Sequence, residues 1–205
     1  NYKDKHLQSI KLSNGEVMDC ETLVLAIGHS ARDTFELLYE KELNIEAKSF
    51  AVGLRVQHPQ NMINISQYGK EAADVLPTAS YKLTTKSSAA RGVYSFCMCP
   101  GGYVVNASTE KEKLAINGMS YHDRKSESAN SAIIVTIDAK DFSDKTPLAG
   151  MYFQQELESK CYKAGNSYIP VQLLGDFIKG RESMKFGETK PCFKGKYTFS
   201  RLDKV

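Results

Sequence analysis

Between Phe50 and Gln57 the chain alternates one residue at a time, with Phe50, Val52, Leu54 and Val56 set against Ala51, Gly53, Arg55 and Gln57. Successive side chains of a β-strand point to opposite faces of its sheet, so this period of two fits a strand with one apolar face and fits no helix. Such a strand needs neighbours along its edges and a layer against its apolar face. Residues 81–85, 92–96, 103–107 and 133–137 read as further strands, and residues 59–65, 148–164 and 171–180 as helices. The predicted class is α+β: a mixed or antiparallel sheet domain with flanking helices. No internal repeat or low-complexity tract interrupts it.

Composition shifts near Ala47, which divides the chain into residues 1–46 and 47–205. In the first part, residues 7–12 and 16–18 flank Ser13-Asn14-Gly15, and Asn-Gly predicts a hairpin turn with positive backbone dihedrals. The run Leu23-Val24-Leu25-Ala26-Ile27, closed by Gly28, predicts a strand buried on both faces inside a larger sheet. Over residues 31–41, Phe35, Leu37 and Leu38 fall at helical spacing, with Asp33 and Glu36 near the positive end of the helix. Neither GxGxxG nor GxxxxGK[ST] occurs, so neither of these backbone cradles for a pyrophosphate is expected from these residues.

Charge excludes some partners. The 27 basic and 24 acidic residues are interspersed and leave a net charge of +3, which sets up no field to recruit nucleic acid or anionic lipid. No apolar run reaches the roughly 18 residues of a membrane span. Residues 1–6 have no signal-peptide character, and an odd count of five cysteines points to reduced thiols; a cytoplasmic location is expected. The first residue is Asn1 rather than Met, which suggests a piece cut from a longer chain. Lys185, Phe186, Lys190, Phe193, Lys194, Lys196, Tyr197 and Phe199 could line a groove for single-stranded nucleic acid. With Gly187 and Gly195 between them and no binding signature, they read instead as a loop-rich edge that packs on another domain.

Several segments carry a family resemblance. They are residues 21–33, with the apolar run ending in Gly28-His29-Ser30-Ala31-Arg32-Asp33; Ser49-Phe50-Ala51-Val52-Gly53-Leu54-Arg55-Val56-Gln57-His58-Pro59; and Phe96-Cys97-Met98-Cys99-Pro100-Gly101-Gly102-Tyr103-Val104-Val105. Asn117-Gly118-Met119-Ser120-Tyr121-His122-Asp123-Arg124 and Asn130-Ser131-Ala132 complete them. From about His6 to Ile137 the chain resembles FAD-dependent dehydrogenase-like flavoproteins with an inserted substrate domain. The resemblance implies that residues 1–46 are a severed piece of the FAD-binding domain and that 47–205 are the substrate-side insert. It implies FAD for the full-length protein, held with segments that lie outside this chain, so tight FAD binding by these residues alone is not expected. The expected partners are the remainder of that FAD-binding domain and a small-molecule substrate, with no nucleic acid and no membrane.

Candidate site residues follow. Gly28 permits close approach to a flavin, and His29 and Arg32 are placed on the flavin side, against a plain reading of helix capping and surface pairing. Tyr121, His122 and Arg124 bring a phenol, an imidazole and a guanidinium together, a group able to bind an anionic substrate or move a proton. Cys97 and Cys99 have three readings: small buried hydrophobes beside a shaping Pro-Gly-Gly turn, a thiol pair exchanging electrons, or a wall facing the flavin. As strand residues they would share a face. Two local thiolates at this spacing make no zinc knuckle, and no metal is expected. His58 before Pro59 reads as structural. Two functions remain open: the substrate side of an FAD-dependent oxidoreductase whose cofactor performs the hydride chemistry, or a non-catalytic binding domain that keeps this fold.

Overall fold

A computed structural model describes residues 1–142 and 144–205. In chain order it contains β1 (Tyr2–Lys3), β2 (His6–Leu7), β3 (Ser9–Lys11), β4 (Val17–Asp19), α1 (Arg32–Glu40), β5 (Phe50–Pro59) and α2 (Gln60–Tyr68). There follow β6 (Thr84–Lys86), β7 (Gly92–Cys99), β8 (Gly102–Asn106), β9 (Ile116–Ser120), β10 (Ser128–Ile137) and α3 (Ala149–Ala164). The chain ends with β11 (Ile169–Val171), α4 (Leu174–Ile178), β12 (Phe193–Lys194) and β13 (Tyr197–Phe199). The fold is α+β, with no helix long and apolar enough to cross a membrane among the described residues.

The alternating segment around Leu54 is an outer strand of the main antiparallel sheet, ordered β5-β10-β7-β6. Its register with β10 runs unbroken from Pro59 opposite Ser128 to Phe50 opposite Ile137. Paired residues share a face, so Phe50, Val52 and Leu54 lie with Ile137, Val135 and Ile133 on one side. At the Phe50 end this face is closed by aromatic rings: Phe50 lies 5.8 Å from Phe142 and 6.5 Å from Phe153, ring centre to ring centre. Farther along, Leu54 and Ile133 remain 36% and 37% exposed.

The opposite face carries Arg55, Gln57 and Asn130, and it is covered by a second sheet ordered β12-β8-β9. The β8–β9 pair is antiparallel and β12 joins β8 in parallel. Close approach of the two sheets depends on Gly118 in β9. A Cβ there would meet Asn130 Oδ1 at 2.1 Å and Arg55 Nη1 at 2.2 Å, so any larger residue would force the sheets apart. Glycine and asparagine are poor strand formers, which hid β9 from the sequence pattern.

Three expectations are corrected. Residues 22–28 form no strand: the run from Leu23 to Ile27 is exposed, with Val24 80% accessible, because no described strand lies alongside to pair with it. The β3–β4 hairpin forms as expected, but only Gly15 of its turn has positive φ, at 91°. The amide of Gly15 donates to the Leu12 carbonyl, and Asn14 Oδ1 accepts from the Glu16 amide, a tight turn followed by a left-handed glycine. The helix expected over 171–180 shrinks to α4, since Pro170 and Val171 belong to β11, paired in parallel with β13.

Gly118→Ala should lower stability by about 2–3 kcal/mol through overpacking against a half-buried, hydrogen-bonded charge. Gly175→Ala in α4, where a Cβ meets open space, should raise stability by about 0.5–1 kcal/mol. Urea unfolding of the two variants measures both, and a neutral Gly118→Ala would refute the packing account.

Candidate functional site

The central feature of the site is an irregularity at the end of β7. Phe96 pairs with Ala132 and Cys99 with Asn130, so Cys97 and Met98 together oppose the single residue Ser131. This is a β-bulge, and Cys97 takes the left-handed conformation, φ 48°. Cys97 is therefore exposed while Cys99 is buried at 5% accessibility. Of the readings of this pair, the one that buries both thiols does not hold, because the extra residue breaks the alternation between them.

Arg55 holds the bulge in place. Its Nη1 donates to Asn130 Oδ1 at 2.7 Å and to the Cys97 carbonyl at 3.1 Å, and it lies 3.9 Å from Cys99 Sγ. Cys99 Sγ in turn lies 3.2 Å from the Cys97 carbonyl oxygen. Burial, reinforced by the neighbouring Cys97, pushes the Cys99 thiol above its ordinary pKa, and Arg55 opposes that rise. Beside it, His58 shares a 2.9 Å hydrogen bond with the Tyr81 hydroxyl, whose pKa is raised by burial. His58 is a structural partner of this wall.

The chain then turns through Pro100-Gly101-Gly102 into β8. Gly101 has φ 50°, its amide donates to Gln60 Oε1 at 2.9 Å, and a Cβ on it would stand 1.9 Å from the Arg124 carbonyl oxygen. Thr78 Oγ1 donates to that same carbonyl at 3.1 Å. The structure thus brings residues 121–124 against the 97–102 turn. Tyr121 packs on Tyr103 with ring centres 4.8 Å apart, and Lys194 Nζ sits 5.3 Å from the Tyr103 ring centre and 5.4 Å from that of Tyr121. The proximity of Tyr121 raises the Lys194 pKa above its ordinary value. His122 and Arg124 are exposed, and among the described residues no hydrogen bond or ion pair engages either side chain. The result is one cation over two phenol rings beside a glycine turn, with the exposed His122 and Arg124 next to Tyr121 in the chain.

The other candidates lie elsewhere. His29 lines a cleft of about 240 Å³ with Phe35, Phe50, Phe142 and Met151. That cleft is at the Phe50 end of β5, whereas the bulge opposes Ser131, whose partner on β5 is Val56, six residues along, or about 20 Å. Arg32, the first residue of α1, is 6% exposed and committed to carboxylates. It makes a two-pronged pair with Glu158, at 2.7 and 2.9 Å, and a 2.6 Å bond to Glu110. The sequence places Arg32 on the flavin side; here both terminal nitrogens fasten α1 onto α3 and the β8–β9 connection.

Lys194, Arg55 and Asn130 were not candidates from sequence. Lys194 lay in a stretch read as a packing edge, and its ring partners come from two distant segments. Arg55 carried a signal, being a cation in the small-residue register of an otherwise apolar strand.

Residues 49–205 match the family model for FAD-dependent protein, C-terminal domain-like. The chain belongs to this family. An uncharacterised protein of Clostridium beijerinckii is 51% identical over 205 residues, covering 98% of this chain and 38% of the relative. The chain thus spans 38% of the length of that curated relative. A domain of this family is associated with flavin, and the residues present fit FAD in part. Gly28 has φ 72° with open space where a Cβ would stand, next to an exposed apolar run, and offers one bare backbone wall. The start of α1 carries Arg32 in place of a glycine-rich turn, so this helix supplies no built pyrophosphate cradle.

Replacing Arg32 by Met should cost about 2–3 kcal/mol, because it strands two half-buried carboxylates. Adding Glu110→Gln and Glu158→Gln should recover most of that loss. Chemical denaturation of the single and triple variants measures the coupling, and equal losses in both would contradict the clamp.

Proposed function

We propose that this chain is the substrate side of an FAD-dependent oxidoreductase of the dehydrogenase type. Residues 1–46 belong to its FAD-binding domain and residues 47–205 close over the flavin. The reading is supported by the family match, and its carrying observation is the rim at the 97–102 turn. Lys194 places a cation over the tilted ring pair of Tyr103 and Tyr121, with the exposed His122 and Arg124 following Tyr121 in the chain and no acidic side chain bonded to either cation among the described residues. A surface of this composition suits a substrate with an anionic group and a flat or apolar body.

Bound FAD would accept or deliver a hydride, with Gly28 and His29 presenting backbone and imidazole to it. The chain's own residues would do the rest. Arg124 would orient the anionic group through its planar fork, Lys194 would hold the Tyr121 hydroxyl in place, and His122 would take or return a proton at the rim. The His29 cleft lies at the Phe50 end of β5 and the bulge that leads to the 97–102 turn lies toward its other end, so a cofactor and substrate reaching both must span that distance, or the rest of the FAD domain must bridge it. Free thiols at all five cysteines accord with a cytoplasmic location.

The full-length protein should purify yellow or take up FAD with a flavin absorbance band, while residues 1–205 alone should bind FAD more weakly than low micromolar by titration. A full-length protein that is colourless and refuses reconstitution would end this reading.

In flavin-reduction assays with anionic donors, Arg124→Lys in the full-length protein should raise KM about tenfold with flavin content unchanged, since it keeps charge but loses the fork. An unchanged KM would remove Arg124 from the site.

A further inference from the structure

We propose that Cys97 and Cys99 form a thiol–disulfide exchange site, in which exposed Cys97 attacks a disulfide and buried Cys99 resolves the mixed disulfide. The two residues stand on opposite sides of the bulge in accessibility but not in space. The left-handed turn at Cys97 folds the backbone so that Cys99 Sγ lies 3.2 Å from the Cys97 carbonyl, under the Arg55 guanidinium at 3.9 Å. An outward thiol backed by an inward one, with a fixed cation at the inner sulfur, is the arrangement that attack followed by resolution requires.

Two further observations favour this use. A residue other than glycine in the left-handed region is held against its own preference, and such conformations persist where the surroundings over-determine them, commonly at functional sites. Glycine would relieve the strain at position 97, yet a cysteine stands there. Metal binding does not compete for the pair, since the described residues contain no group of three or more His, Cys, Asp or Glu side chains placed to hold an ion.

The chemistry balances with a small-molecule disulfide as oxidant. The Cys97 thiolate attacks one sulfur of RSSR, forming a Cys97–SR bond as the S–S bond breaks and RS⁻ leaves. The Cys99 thiolate then attacks the Cys97 sulfur, closing the Cys97–Cys99 bond and expelling the second RS⁻. The two thiol protons pass to the two departing thiolates, so the pair loses two electrons and RSSR becomes two RSH. A disulfide across one intervening residue closes a small strained ring, which makes it readily reduced and suits it to exchange rather than to bracing the fold.

The experiment uses the full-length protein equilibrated in mixtures of reduced and oxidised glutathione, then quenched, alkylated and digested with trypsin. Cleavage after Arg91 and Lys111 yields one peptide carrying Cys97 and Cys99 and no other cysteine. The expected result is an unalkylated form lighter by two hydrogens, rising with the oxidised fraction and reversed by dithiothreitol. Cys99→Ser should stop at a glutathione adduct on Cys97, and Cys97→Ser should carry neither species. The wild-type peptide decides the question even if a variant fails to fold. A peptide that stays doubly alkylated across the whole series, or a glutathione adduct that never closes, would overturn the proposal.

Discussion

The Arg55 guanidinium is the interaction on which the arrangement of both sheets rests. It projects from β5, binds the side chain of Asn130 on β10 and the carbonyl of Cys97 on β7, and lies directly under β9. A half-buried cation of this kind is held at least cost when its donors are satisfied, and the bulge supplies one of its acceptors. The bulge is thus part of the cation's solvation: regular pairing through Cys97 would turn that carbonyl back into the β-ladder. Gly118 completes the set, because only a residue without a side chain lets the second sheet close over the charge.

From this arrangement the site follows by connection. Ending β7 at a bulge aims the chain into Pro100-Gly101-Gly102, where Gly101 meets the Arg124 carbonyl, and this seats residues 121–124 beside β8. Parallel addition of β12 to β8 then lays Lys194 over the two phenol rings. The aromatic side chains Phe186, Phe193, Tyr197 and Phe199 pack on one another behind it, which fixes the strand that carries the ammonium. At the far end of the main sheet a separate device operates, Arg32 fastening the first helix to two glutamates.

The main sheet was legible because Phe50 to Gln57 alternates cleanly and because 133–137 is β-branched and apolar. The α3 helix was equally plain. What stayed hidden has physical causes. Asn117-Gly118 suppresses strand propensity at the place where close sheet packing demands a glycine. A left-handed cysteine leaves no mark in residue type, so the bulge could not be anticipated. The Lys194 cluster draws on positions 103, 121 and 194, and no local pattern joins them. The run from Leu23 to Ile27 erred in the other direction: its composition is that of an inner strand, but strands exist only in pairs. The structure places residues 121–124 against the 97–102 turn, while His29 and Arg32 stand apart from it.

The open run from Thr22 to Gly28 contains no charged side chain, no proline and a high share of strand-forming residues, and its backbone is bare to solvent. Such a segment is an adhesive edge: two copies of this chain can satisfy each other's amides across it as readily as a neighbouring strand would. In the cell that surface is safe only while covered, so synthesis of the protein carries a kinetic demand. Whatever strand covers it must arrive before a second molecule does, so the order of folding along the chain, and the concentration of nascent chains, determine whether two copies pair through it.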